Sequence, residues 1–166
     1  FIATAHHADD QLESMVMGML RGAGAAGLAG VAPSRPLSEG VALIRPMLGV
    51  DREQAEAICR EAGFAWVVDQ TNIEGARGEL RHGALAEIKA LRPGAALRAS
   101  RAADHLRDAA TLLDERVEAV FGDRRSWPRE TLRRETALVV GAGLRRAALA
   151  LSGGEGADRL TARVVD

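Results

Sequence analysis

Apolar positions fall into two regimes along the chain. Up to about residue 80, short apolar runs alternate with helical stretches, and beyond it the helical period dominates. FIATA (1–5) reads as a short strand entering the polar turn HHADD. From Asp10 the spacing lengthens: Leu12, Met15, Val16, Met19 and Leu20 fall at i, i+3, i+4, i+7 and i+8, one continuous apolar helix face that Gly22 is placed to end. GAGAAGLAGVAPS reads as a flexible loop. VALIRPML reads as extended, because Pro46 pushes Arg45 away from the helical region. Asp51 with Gln54 forms a capping-box pattern for a helix to about Ala62, stopped by Gly63.

AWVVD (65–69) reads as a strand, and QTNIEGARGE as a polar loop. After it the chain is almost wholly helical. One helix is expected over roughly 80–91, ended by Pro93, and a long one over roughly 95–120 anchored by Leu97, Leu106, Leu112, Leu113, Val117 and Val120. FGDRRSWP reads as a loop, with a further helix starting near Pro128. The fold class expected is therefore α/β followed by all-α, with the change near residue 80.

Composition alters this picture little. With 166 residues, 47% hydrophobic and 27% charged, the chain can build a core and stay soluble, and a net charge of −1 gives no reason of its own to expect nucleic acid. The basic residues are arginines except Lys89. Arginine's planar fork suits phosphate, although a GC-rich genome gives the same bias. Cys59 is alone, which excludes an internal disulfide and a cysteine-built metal cluster, and it reads as a buried small apolar residue. No apolar run is long enough to span a bilayer and no targeting segment stands out, so a cytoplasmic protein is expected. The chain opens on Phe1 in what reads as mid-strand, the pattern of a fragment whose N-terminal part lies elsewhere.

The candidate chemistry sits in the first turn. His6, His7, Asp9, Asp10 and Glu13 crowd the C-terminal end of a strand, where open α/β sheets bind ligands. A helix cap needs only one acid. Carboxylates this close repel one another, and a magnesium ion that bridges to phosphates would relieve the repulsion, with Asp9 and Asp10 as its ligands. A zinc site lacks ligand spacing downstream. Two Gly-rich stretches fail as phosphate loops. SGGEG (152–156) has no preceding strand and no Lys-Ser/Thr, and VVGAGLRRAAL (139–149) puts Arg146 where a dinucleotide turn needs a small residue, so it reads as a helix with paired glycines. Arg21, Arg45, Arg77 and Arg81 stand at element ends, from which they could converge on phosphates. His82, beside Arg81, is open between an RNA contact and a cap.

In this order, AHHADDQLES, LRGAGAAGL, LIRPMLGVDREQAEAICREAGFAWVVDQTN and ARGELRHGAL resemble the tRNA(Ile)-lysidine synthases, a family of N-type ATP-pyrophosphatases. The resemblance is close over about 1–92 and loose beyond. It implies the C-terminal part of a Rossmann-like adenine-nucleotide alpha-hydrolase-type domain over 1–80, joined to a helical, tRNA-binding substrate domain over 81–166. It implies ATP and Mg2+ as cofactors, L-lysine and the CAU-anticodon tRNA(Ile) as substrates, and a carbon–nitrogen ligase reaction. On it, His6, Asp9, Asp10 and Glu13 lie around the nucleotide and metal, and Asp10, Arg21, Arg77 and Arg81 serve catalysis. Asp69 and Asn72 stand in a DxSN-like segment.

Ser14 and Thr71 are mild departures from the family pattern. Gly78 and Glu79 replace an asparagine and a commonly basic residue, and the family's SGGxDS phosphate loop does not occur. A chain without that loop is expected to be inactive alone. Two rivals follow from the residues: another ATP-pyrophosphatase acting on a different base or small substrate, and a non-catalytic helical RNA-binding module.

Overall fold

The computed structural model of the protein describes residues 1–66 and 75–152. Eleven elements occur among them. In chain order they are β1 (Ile2–Ala3), α1 (Ala8–Leu20), α2 (Ala25–Leu28), β2 (Ser34–Ser38), β3 (Val41–Ile44) and α3 (Arg52–Glu61). Then follow α4 (Gly75–His82), α5 (Ala84–Leu91), α6 (Ala95–Phe121), α7 (Arg129–Arg133) and α8 (Ala137–Leu151). The chain separates into two compact units, Phe1–Asp108 and Ala109–Asp166, with the division inside α6. Packing therefore keeps α4, α5 and the first half of α6 with the α/β elements, whereas the change of period alone places the boundary near residue 80.

In the first unit the strands form one sheet in the order β1-β3-β2. β1 pairs parallel to β3, Ile2 opposite Leu43 and Ala3 opposite Ile44. β2 and β3 form an antiparallel hairpin, with an irregularity between Pro36 and Ser38. The pattern misses β2. Its five residues are all exposed, so no apolar alternation marks it, and Pro36 sits where only an edge strand tolerates proline. Gly/Ala-rich 22–34 likewise hides α2, a single turn seated on α1, where Gly18 leaves room for the Gly27 carbonyl and the Leu28 side chain.

Helix α1 begins at Ala8, two residues earlier than its apolar period suggests, and ends at the positive-φ Gly22 as expected. Ala8 and Leu12 enter a core with Leu85, Ala96 and Ala99, flanked by Met15, Val16, Leu80 and Ile88. Met19 and Leu20, read as part of the same face, are exposed. Helix α3 has the expected capping box: Asp51 Oδ1 accepts from Gln54 N (2.9 Å) and Gln54 Oε1 from Asp51 N (3.1 Å). Cys59 on it is only half-buried. The helix expected over 80–91 is two, α4 and α5, because Gly83 leaves helical geometry (ψ −103). Residues 75–79, read as loop, belong to α4. Ala65 and Trp66 are not in a strand; the rest of AWVVD, with Asp69 and Asn72, lies outside the described residues.

The loop after α2 is held by the buried side chains of Gln11 and Arg45 and the half-buried Arg107. Gln11, 1% exposed, accepts from Val31 N (2.7 Å) and donates to Val31 O (2.9 Å). Arg45 Nη1 donates to Ala32 O (2.7 Å) and Arg107 Nη2 to Ala29 O (3.1 Å). Gly30 makes this possible: its φ is +65°, and a Cβ there would lie 2.3 Å from Gln11 Oε1.

The second unit has its own core of Val117, Val120, Phe121 and Val139, flanked by Leu113, Trp127, Leu132 and Ala142. Phe121 and Trp127 pack with ring centroids 4.9 Å apart, and the Trp127 indole donates to Phe121 O (3.0 Å). Leu112, expected among the anchors of α6, is exposed. VVGAGLRRAAL is helical, as its misplaced arginine suggests. Gly143 is buried within van der Waals reach of the Phe121 ring, which is why this helix carries a glycine there. SGGEG is described only at Ser152.

Candidate functional site

The parallel β1/β3 pair brings the turn Ala5–His7 to the end of the sheet, with Thr4 N bonded to Ile44 O and Ala8 N to Val50 O. Helix α1 then projects Asp9, Asp10 and Glu13 from its first two turns. Asp9 and Glu13, and Asp10 and Glu13, are spaced four and three residues apart and so share one side of the helix. A cavity of about 320 Å³ opens against them. Its acidic wall is Asp9, Asp10 and Glu13, and its opposite wall is Arg81, His82 and Lys89 from α4 and α5.

Glu13 is the deepest of these groups, its side chain only 6% exposed. Arg81 Nη2 and Nε both donate to Glu13 Oε2, at 2.6 and 3.0 Å. Arg77, one turn earlier on α4, approaches Oε1 at 3.4 Å with its side chain 74% exposed. Arg81 Nη2 also lies 3.8 Å from Asp10 Oδ1. A buried carboxylate needs charged partners, and Glu13 draws them from residues 64 and 68 positions away in sequence. The spacing of four between Arg77 and Arg81 puts both on one side of α4, so one carboxylate can hold both.

Asp10 closes the N-terminus of α1, its Oδ2 accepting from His7 N at 2.8 Å. Asp9 joins three helices. Its Oδ1 accepts from Lys89 Nζ on α5 (2.6 Å), and its Oδ2 from the backbone N–H of Arg52, the first residue of α3 (2.8 Å). Burial works to raise the Asp9 carboxyl, but the Lys89 hydrogen bond, the Arg52 amide and the neighbouring Lys89 and His7 charges together outweigh it, and hold Asp9 below the ordinary carboxylate value. His7 Nδ1 is buried without a hydrogen bond, 3.5 Å from both Asp9 Oδ2 and Asp10 Oδ2.

Of the residues singled out in the sequence, Asp9, Asp10, Glu13, Arg77 and Arg81 come together here. His6 does not line the cavity; its Nδ1 pairs with Thr4 Oγ1 at 2.9 Å, and His7 faces the cavity instead. Arg21 caps the far end of α1, roughly 20 Å along the helix from Asp9 at 1.5 Å per residue. Arg45 is buried beside the loop at 31–33 rather than at the cavity. Two site residues escape the sequence reading, Lys89 and the Arg52 amide. Lys89 carried a usable signal, being the lone lysine among arginines.

The described side chains do not fit a divalent cation at Asp9 and Asp10. Both oxygens of Asp9 already accept from nitrogen donors, Asp10 Oδ2 is bonded into the α1 N-terminus, and Glu13 is held by arginines. Among the described residues no three His, Cys, Asp or Glu side chains are grouped to hold a metal ion. What the arrangement offers instead is a set of cations fixed by carboxylates around a cavity, a geometry suited to binding and orienting phosphate.

A strand, an acidic turn and a helix at the end of a parallel strand pair, facing a cation-lined cavity, define a nucleotide-binding α/β domain. Residues 1–88 match the family model described as the PP-loop domain, and the chain belongs to that family. Similar curated proteins share one name. The chain is 42% identical over 116 residues to a tRNA(Ile)-lysidine synthase of Chromobacterium violaceum, a match covering 69% of this chain and 27% of that protein. It is 40% identical over 119 residues to the Geobacter sulfurreducens protein of the same name, 70% of this chain and 25% of that one. The chain thus spans about a quarter of the length of the curated relatives it matches. Among the described residues no helix is long and apolar enough to cross a membrane.

Proposed function

We propose that the protein is the ATP-dependent ligase that makes lysidine in the CAU-anticodon tRNA(Ile), and that it works in the cytoplasm. Carbon 2 of the wobble cytidine is activated as an adenylate with release of pyrophosphate, and the L-lysine amine then attacks that carbon and expels AMP. The observation that carries this reading is the Glu13–Arg81–Arg77 cluster. It joins two segments far apart in sequence, HHADDQLES and ARGELRH, beside one cavity, and both are among the stretches on which the resemblance to the lysidine synthases rests.

In this reading Arg77 and Arg81 neutralise charge on the transferring adenylate or on the tRNA backbone, and Glu13 fixes their position. Asp10 keeps the turn at the head of α1 in place. His6 and Arg21, called to the site by the resemblance, enter only through parts of the substrates that extend beyond the cavity. Magnesium belongs to the proposal as the counter-ion of ATP, arriving with the nucleotide and not assigned to the acidic turn. The helical second unit serves as a tRNA-binding surface.

The test is lysine incorporation by the intact protein into an unmodified tRNA(Ile) transcript. ATP-dependent transfer that fails on a transcript with a changed wobble base is the expected result. Pyrophosphate release with small metabolites but not with tRNA would assign the site to another ATP-pyrophosphatase. ATP-independent tRNA binding that tolerates Asp10→Ala, with no lysine transfer, would mark a non-catalytic RNA-binding module.

A further inference from the structure

Three carboxylates line one wall of the cavity, and two cations that also line it are paired with them: Lys89 on Asp9 and Arg81 on Glu13, with the mostly exposed Arg77 approaching Glu13 from outside. Like charges on Asp9, Asp10 and Glu13 would otherwise repel across one helix turn. The usual relief is a divalent cation, but here both Asp9 oxygens already accept, from the Lys89 ammonium and the Arg52 amide. Lys89 is the informative member. It is the only lysine in a chain of arginines, its ammonium is a compact point charge unlike a planar guanidinium, and it meets Asp9 Oδ1 at 2.6 Å. Asp9 in turn receives the N–H of Arg52, so the pair ties the N-termini of α1 and α3 to the last turn of α5. A guanidinium in this place would spread its charge over several donors, whereas an ammonium puts it at one point, as a metal ion does.

We propose that Lys89 is a positioning residue that stands in for a metal ion: its ammonium neutralises Asp9 from within the fold, so the acidic turn binds no divalent cation and instead holds α5 and the Arg81-bearing wall in register. The two Asp9 oxygens are thereby fixed, and the cavity presents cations toward an incoming polyanion without needing to recruit one. Any metal in the reaction is then carried by the nucleotide. The inference concerns the protein without nucleotide and does not depend on the substrate, so a failure of the lysine-transfer assay leaves it standing and its own failure leaves that assay unaffected.

The test is Mn2+ binding to the intact protein without nucleotide, read from the loss of the free-ion electron paramagnetic resonance signal. Asp9→Asn is expected to leave the wild-type Mn2+ isotherm unchanged. Lys89→Met exposes the Asp9 charge and is expected to create a site at least tenfold tighter than anything at that turn in the wild type; the double variant Lys89→Met/Asp9→Asn loses it, and Lys89→Arg does not gain it. A wild-type Mn2+ site that Asp9→Asn abolishes would overturn the proposal. So would a folded Lys89→Met that binds Mn2+ no better than wild type. The comparison of wild type with Asp9→Asn needs no Lys89 variant, so the proposal stays testable even where Lys89→Met fails to fold.

Discussion

Replacing Glu13 by Gln removes the charge that holds Arg77 and Arg81 while keeping the side chain's shape. Breaking a buried ion pair by deleting one partner costs about 3–5 kcal/mol when both partners are dry. Here Glu13 is 6% exposed, but Arg81 is 32% exposed and Arg77 mostly exposed, so both guanidinium groups can turn toward water. The loss is therefore closer to that of a charge-assisted hydrogen bond, about 1.5–3 kcal/mol. At about 4–8 °C per kcal/mol for a unit of this size, a loss near 2 kcal/mol lowers the melting temperature by roughly 8–16 °C. Thermal melts of wild type, Glu13→Gln, Arg81→Gln and the double variant close a cycle. A coupling of about 1–2 kcal/mol is expected, since these groups touch, whereas independent sites add to within about 0.5 kcal/mol. If Arg81 also meets the transferring phosphate, lysine transfer by Glu13→Gln falls on the order of a hundredfold. Additive melts, or a Glu13→Gln protein as stable and active as wild type, would refute the claim that Glu13 organises the cavity.

Asp9 has a depressed folded-state pKa, so its stabilisation is complete above the ordinary carboxylate value, about 3.9, and is lost as pH falls through the lower folded value. The urea midpoint of wild type should exceed that of Asp9→Asn by a constant margin from pH 7 to about 5, and the margin should close below about 4; a margin that persists into strong acid would contradict the Lys89 pairing. Gly143→Ala runs against the usual helix preference. Alanine ordinarily stabilises a helix interior by about 0.5–1 kcal/mol relative to glycine, but a Cβ here would sit 2.2 Å from Phe121 Cε2. Overpacking of about 1–3 kcal/mol wins, so circular dichroism should show a lower melting temperature, and a rise would mean that the Phe121 ring moves freely aside.

Local chemistry settled a good deal before any coordinate. The period of 3.6 in Leu12, Met15 and Val16, the Asp51–Gln54 box, and the glycines at 22 and 63 each act within a few residues, so α1, α3 and their ends are legible from neighbours alone. The crowding of Asp9, Asp10 and Glu13 at a strand end was likewise legible, and the structure makes it one wall of a cavity. Only the tertiary structure decided what those acids face. Lys89 and Arg81 lie 80 and 68 residues downstream of Asp9 and Glu13, and nothing in the periodicity of α4 and α5 says which of their sides meets α1. It also showed β2, whose exposed residues carry no pattern. Charge compensation is a property of proximity in space, and sequence records only proximity along the chain. The acids could be read from the first turn, but whether a metal or the protein's own cations balance them could not.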